Sequence, residues 1–144
     1  MLKVKELINL KGGEIYYVSP HTSMRAAIDL LVEKKVGALP VLDETGLVGI
    51  ISERDMIRFL AEESEAILEM PVSTFMTRNV VTVPAETPLE ECMQIMINRN
   101  FRHLLVREND KFVGIISMRD MVSTLLKDRD ILIQDLEKYI TGTR

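Results

Sequence analysis

Apolar side chains at Met24, Ala27, Ile28, Leu31 and Val32 follow the i, i+3, i+4, i+7, i+8 spacing of a helix with one buried face. Sixty-five positions later, Leu89, Cys92, Met93, Met96 and Ile97 draw the same stripe. Thr22 and Thr87 stand where an N-cap belongs, and Pro88 suits the first helical position. Each stripe leads into a short apolar run, Ala38–Leu42 or His103–Val106, then a polar turn, Asp43–Gly46 or Arg107–Lys111. The runs "LVGIIS" and "FVGIIS" follow, so each half is predicted to hold a hairpin. A second helix is expected from Glu53 (Met56, Ile57, Leu60) and from Met118 (Met121, Val122, Leu125). Short strands, Glu14–Val18 and Asn79–Val83, are expected ahead of each first helix. The tail Asp130–Ile140 reads as one more amphipathic helix, with Ile133, Leu136, Tyr139 and Ile140 on its apolar face.

The pattern is an internal repeat. An offset of 65 positions carries Val18 onto Val83 and continues without a gap to Met56 and Met121. Each copy reads strand–helix–strand–strand–helix, and a unit of about sixty residues is marginal as an independent fold. The expected fold class is therefore α+β (mixed α/β). Two β-α-β-β-α repeats pack together with pseudo-two-fold symmetry and share a core. The boundaries expected are 1–62 for the first repeat, 63–77 for a connecting segment, 78–128 for the second repeat and 129–144 for a C-terminal helix and tail.

Composition narrows the function classes. The net charge of −4 argues against a nucleic-acid partner, since phosphate binding wants a basic surface. No run approaches the ~18 apolar residues that span a bilayer, and no apolar core with a cleavage site opens the chain, so neither a membrane nor a secretory route is expected. The single cysteine, Cys92, excludes an internal disulfide and suits a reducing cytoplasm. It lies on an apolar stripe, so it reads as a small core side chain. With His21, placed in a solvated loop, and His103 it matches no metal spacing, and no metal is expected. The nine methionines read as core filling, and Ala61–Glu69 as a solvated helix face. No nucleophile–base pair, phosphate loop or dinucleotide fingerprint is present, so no enzyme and no catalytic cofactor are expected.

One phrase is written twice in step: "GIISERDM" from Gly49 and "GIISMRDM" from Gly114. Ser52 and Ser117 suit helix caps, and Asp55 and Asp120 suit a first helical turn, where carboxylates favour the dipole. Arg54 and Arg119 then stay solvated. The same residues also suit a nucleotide. A helix N-terminus attracts an anion, arginine offers a planar donor fork to phosphate, and aspartate accepts from two neighbouring ribose hydroxyls.

The order V-x-P…T…G-A-L-P-V-x-D…G-x-V-G-I-I-S-x-R-D-M resembles the cystathionine-β-synthase (CBS) domain, in the tandem arrangement called a Bateman module. "NFRHLLV" at Asn100–Val106 is similar to that family's x-x-R-H-L-P-V stretch, with Leu105 in place of proline. The resemblance covers Val4 to Lys127 and implies a stand-alone regulatory module with two clefts between the repeats. It implies that the first cleft takes Thr22, Val36, Gly37 and Ala38, with the last three along the base. Arg102, Ser117, Arg119 and Asp120 join them, Asp120 holding the ribose and the arginines facing phosphate. The second cleft takes Thr87, Phe101, Arg102 and His103 with Ser52, Arg54 and Asp55. His103 is either a phosphate donor or a packed core residue.

The offset places Gly37 opposite Arg102 and Ala38 opposite His103. The first cleft therefore has more room for a base and one more cation for a phosphate. The implied ligand is an adenosine compound: AMP, ADP, ATP, NAD or S-adenosylmethionine. The implied assembly is a homodimer through the second helices and the C-terminal helix, with a regulated protein as a further partner. The alternative is a structural, dimerising adaptor with no small-molecule ligand.

Overall fold

The computed structural model describes residues 2–12 and 14–141, without the side chains of residues 131, 132, 135, 139 and 141. Tyr139 of the predicted apolar face and residues 142–144 of the predicted tail thus lie outside the described residues. The fold is mixed α/β. In chain order it runs α1 (Val4–Lys11), α2 (Met24–Lys34), β1 (Ala38–Asp43), β2 (Gly46–Ser52) and α3 (Glu53–Glu63). Two short 3-10 turns follow, Glu65–Glu69 and Val72–Thr74, then β3 (Thr82–Pro84), α4 (Leu89–Arg99), β4 (His103–Glu108), β5 (Lys111–Ser117) and α5 (Met118–Thr141).

Both hairpins form as expected, in the same register: Ala38 opposite Ser52 and His103 opposite Ser117, each with one irregularity before the turn. The two apolar stripes bury Met24, Ala27 and Leu31 in one core and Leu89, Cys92 and Met96 in the other. Burial, followed by the neighbouring Glu91 carboxylate, pushes the Cys92 thiol up to about 11, so it behaves as an apolar side chain. His21 is exposed, as a loop residue should be.

Helix α1 was not anticipated. Val4 and Leu7 are fully buried in the core of the second repeat, not the first. The segment after α3 does the reverse, burying Ile67, Val72 and Met76 in the core of the first. Backbone hydrogen bonds fix both exchanges. Val4 N–H donates to Thr87 O (2.8 Å), and Leu89 N–H to Leu2 O (3.0 Å). In the other half Val72 N–H donates to Thr22 O (2.7 Å), and Met24 N–H to Met70 O (2.9 Å). On the surface, Lys5 and then Lys3 hydrogen-bond Glu86 and hold its carboxyl down to about 2.

The exchange explains the repeated glycines. A Cβ on Gly49 would meet Met76 Sδ at 2.6 Å, and one on Gly114 would meet Ile8 Cδ1 at 2.7 Å. Each glycine leaves the space that the borrowed segment fills.

Four expected local features differ. Thr22 and Thr87 do not cap α2 and α4. Ser23 caps α2, accepting from Ala26 N–H at 3.1 Å, and Pro88 stands at the N-cap of α4 with no side-chain bond. The carbonyls of Leu2 and Met70 take the first helical N–H of each, and Thr22 Oγ1 instead accepts from Ser19 N–H (3.1 Å). The strand expected over Glu14–Val18 shrinks to one bridge, Val18 with Val41. Pro40 is the cause. Its carbonyl accepts from Val18 N–H, but it has no N–H to donate along the same edge, so the next rung is missing. In the second repeat Leu105 occupies that register position, and β3 pairs with β4 from Thr82 onward.

The acidic stretch Ala61–Glu69 is not one solvated helix face. Ser64, at φ 74°, ends α3, and Ile67 turns into the core. The C-terminal helix is not separate either: it continues the second helix of the second repeat as α5, 24 residues long.

If α1 is part of the second core, Leu7→Ala should cost about 2–5 kcal/mol of stability in urea unfolding. Leu10→Ala, on the exposed side of the same helix, should stay within about 0.5 kcal/mol. Equal small effects at both positions would contradict the docking of α1.

Candidate functional site

A cavity of about 1070 Å³ opens between the repeats. The first repeat supplies the C-terminal end of α2 (Leu31, Val32) and the loop that follows it, Lys35 to Ala38. Lys35 ends α2 in the left-handed conformation (φ 56°), which turns the chain toward Gly37 and Ala38. The second repeat supplies Arg102, His103, strand β5 from Val113 to Ser117, and the first turn of α5 through Asp120. Ile8, Lys11 and Gly12 close one side, with Glu14, Ile15 and Tyr16 beside them.

Of the residues expected in the first cleft, Val36, Gly37, Ala38, Arg102, Ser117, Arg119 and Asp120 line this cavity together, and Thr22 does not. His103, expected in the second cleft, is in this one. Its ring sits over Gly37, where a Cβ would come within 3.1 Å of Cε1. A side chain at Gly37 would press on the imidazole, which would have to shift by a few tenths of an ångström, so this glycine eases the close approach of the two repeats. Thr87, Phe101, Ser52, Arg54 and Asp55 are not among the walls. Phe101 packs on the core of the second repeat, and Ser52 caps α3 by accepting from Asp55 N–H (3.1 Å). Asp55 pairs with Arg58 at 3.5 Å. A smaller cavity of about 530 Å³, beside His21, Asp43 and Arg78, holds none of the expected residues.

The backbone expected to read a base edge is partly engaged. Gly37 O accepts from Glu53 N–H (2.9 Å), as Arg102 O accepts from Met118 N–H (2.9 Å) in the other half. Ala38 lies in the β1–β2 ladder opposite Ser52.

Asp120 is the most constrained polar group of the cavity. Ser117 Oγ accepts from Asp120 N–H (3.0 Å), and Asp120 Oδ2 accepts from Ser117 N–H (2.9 Å), a reciprocal capping box. Lys11 Nζ donates to the same Oδ2 at 2.8 Å and to Ile115 O at 3.1 Å. Partial burial opposes ionisation of Asp120, but the Lys11 and Ser117 hydrogen bonds together outweigh it and hold the carboxyl below its ordinary value. Burial pushes the His103 imidazole down; nearby Asp120 pulls it back, and Lys11 and Arg102 add to the depression. The cations of the walls are Lys11, Lys35, Arg102 and Arg119, and the carboxylates are Glu14, Glu53 and Asp120.

Sequence patterns alone missed Lys11, Glu53 and Tyr16. The only signal for Lys11 was the spacing Val4, Leu7, Ile8, which marks a short amphipathic helix with a lysine at its end. Among the described residues, no cluster of potential ligands could hold a metal ion, and no helix is long and apolar enough to cross a membrane.

Comparison with known proteins places this architecture. The CBS domain family profile matches residues 4–62 and 72–127. A 17.7 kDa protein of Acidianus ambivalens is 33% identical over 143 residues, spanning 98% of this chain and 84% of that one. The chain spans only 43% and 38% of relatives from Methanocaldococcus jannaschii and Thermofilum pendens, at 30% and 34% identity. Among solved structures, the CBS-domain containing protein ATU1752 of Agrobacterium tumefaciens superposes with a TM-score of 0.81 at 37% identity, over 85% of this chain and 98% of that one. CBSX2, solved in complex with AMP, gives a TM-score of 0.75 at 28% identity over 90% and 99% of the two chains. The CBS domain pair of protein MJ0100, solved with 5′-methylthioadenosine and S-adenosyl-L-methionine, gives 0.76 at 25% over 90% and 98%. The chain belongs to the CBS domain family and carries two copies of the domain.

Proposed function

We propose that the chain is a regulatory module that binds an adenosine-containing nucleotide in the cavity between its two CBS repeats. The observation that carries this reading is the meeting, in one cavity, of the Val36–Ala38 loop with Arg102, Ser117, Arg119 and Asp120. The volume is ample for a nucleotide, since small-molecule sites run to about 300–1,000 Å³. The solved relatives CBSX2 and the MJ0100 pair, which hold AMP and two other adenosine compounds, support the ligand class.

The adenine lies along Val36, Gly37 and Ala38, where the walls are apolar or backbone. The ribose diol donates to Asp120. Arg102 and Arg119, both exposed at the mouth, meet the phosphate. The nucleotide fills the cavity holding Asp120 in preference to the Asp55 side, because Arg102 and Lys11 gather at Asp120 and small residues line the base side, whereas Asp55 lines neither described cavity. The module itself performs no catalysis; occupancy is read by a second protein. Thermal melting against AMP, ADP, ATP, NAD and S-adenosylmethionine identifies the nucleotide, because a ligand that binds only the folded state raises the melting temperature.

The assembly proposed is a homodimer. Ile57 on α3 and Val122 on α5, equivalent positions of the two repeats, are 68% and 43% exposed, and Leu126 follows at 51%. A patch of this kind on two second helices suits burial against a second copy. Light scattering is expected to return a dimer mass; a monomer mass at micromolar concentration contradicts it.

The ribose assignment has its own test. Asp120→Ala should weaken AMP binding by about 1.5–3 kcal/mol, the range for a hydrogen bond to a charged group. 2′-Deoxy-AMP should lose a similar amount on the wild-type chain and little on the variant. Equal losses from the 2′-deoxy change on both would refute the role of Asp120.

A further inference from the structure

The carboxylate proposed for the ribose is already in use. Asp120 Oδ2 carries two donors, Ser117 N–H and the Lys11 ammonium, and the ammonium is also bonded to Ile115 O. Lys11 is the last residue of α1, which Val4 and Leu7 anchor in the core of the second repeat. The backbone that delivers the ammonium is therefore fixed, while its four-methylene stem is free to swing.

A ribose diol brings two further donors to Asp120. Oδ1 is left to one hydroxyl, but a diol that bridges both carboxylate oxygens also needs a place on Oδ2, and there it displaces the ammonium, because the Ser117 N–H belongs to the helix cap and stays. The displaced ammonium stays tethered to α1 at the cavity wall, where its side chain is 40% exposed. It is left among Arg102, Arg119 and Lys35, with its carboxylate partner taken by the ligand. In the orientation proposed above, with the base along Val36–Ala38 and the ribose on Asp120, the 5′ substituent is directed to these cations. A 5′-phosphate gives the ammonium a new anionic partner, and a charge-assisted bond replaces the one that was broken. A neutral 5′ group gives it none.

Resting on the nucleotide reading above, we infer that Lys11 is a specificity determinant, which sets the charge required at the 5′ position of the ligand. It admits adenosine compounds with an anionic 5′ group at little net cost and penalises neutral ones by the ion pair they break. The selectivity comes from a residue outside both S-x-R-D motifs, carried by a helix that precedes the first repeat in sequence and docks on the second.

Calorimetric titration with AMP and with 5′-methylthioadenosine tests the assignment on the wild-type chain, Lys11→Met and Lys11→Arg. Lys11→Met keeps the stem, and thermal melting confirms that α1 remains docked. The wild-type chain is expected to prefer AMP. In Lys11→Met the ratio of the two affinities should fall by about tenfold, with 5′-methylthioadenosine binding more tightly than before. In Lys11→Arg, which keeps the charge, the ratio should stay near the wild-type value. If Lys11→Met changes both affinities by the same factor, Lys11 is only a latch on Asp120 and the specificity assignment is overturned. If the wild-type chain binds neither compound, the nucleotide reading falls and this assignment with it.

Discussion

The structure depends on an exchange of short segments between the two repeats. Each repeat lacks one wall of its core, and the chain supplies that wall from the stretch that precedes the other repeat. Val4 and Leu7 enter the second core, while Ile67, Val72 and Met76 enter the first. A unit of this size is marginal alone, and the exchange ties the core of each repeat to a segment that precedes the other. The backbone carbonyls of Leu2 and Met70 take over the start of α4 and α2. Gly49 and Gly114 are bare where Met76 and Ile8 pass. The cavity inherits a wall from α1 for the same reason, and with it Lys11.

Local periodicity made much of the fold legible. The apolar stripes, the hairpins and the starts of α3 and α5 follow from residue spacing, because each is stabilised mainly by its own amphipathic face. What stayed hidden is what depends on distant partners. Thr22 and Thr87 have cap chemistry, yet borrowed carbonyls arrive first. Glu14–Val18 has strand composition, yet Pro40 on the neighbouring strand denies it a rung. The stretch after Glu63 reads as polar connection, yet it fills a core.

The site was legible in its repeated motif and obscure in its asymmetry. Aligning the halves identified Ser117, Arg119 and Asp120, and it contrasted Gly37 and Ala38 with Arg102 and His103. It could not show that His103 lies over Gly37, across the boundary between repeats. Nor could it show that Asp120 and Asp55 have different partners. Asp120 meets Lys11 from a distant helix, whereas Asp55 meets Arg58 one turn away on its own. Two matching S-x-R-D motifs thus sit in different electrostatic settings: the exchanged helix α1 brings Lys11 to Asp120, and Arg58, which has Ser123 at its equivalent position, serves Asp55.

The central claim is that one cavity, built by both repeats, is the ligand site. Amide hydrogen exchange with and without saturating AMP tests it most directly, because it reports both walls at once. The expected result is slowed exchange at residues 36–38 of the first repeat and at residues 114–120 of the second, at the same nucleotide concentration. Protection confined to one repeat, or protection elsewhere with both stretches unchanged, would contradict the account.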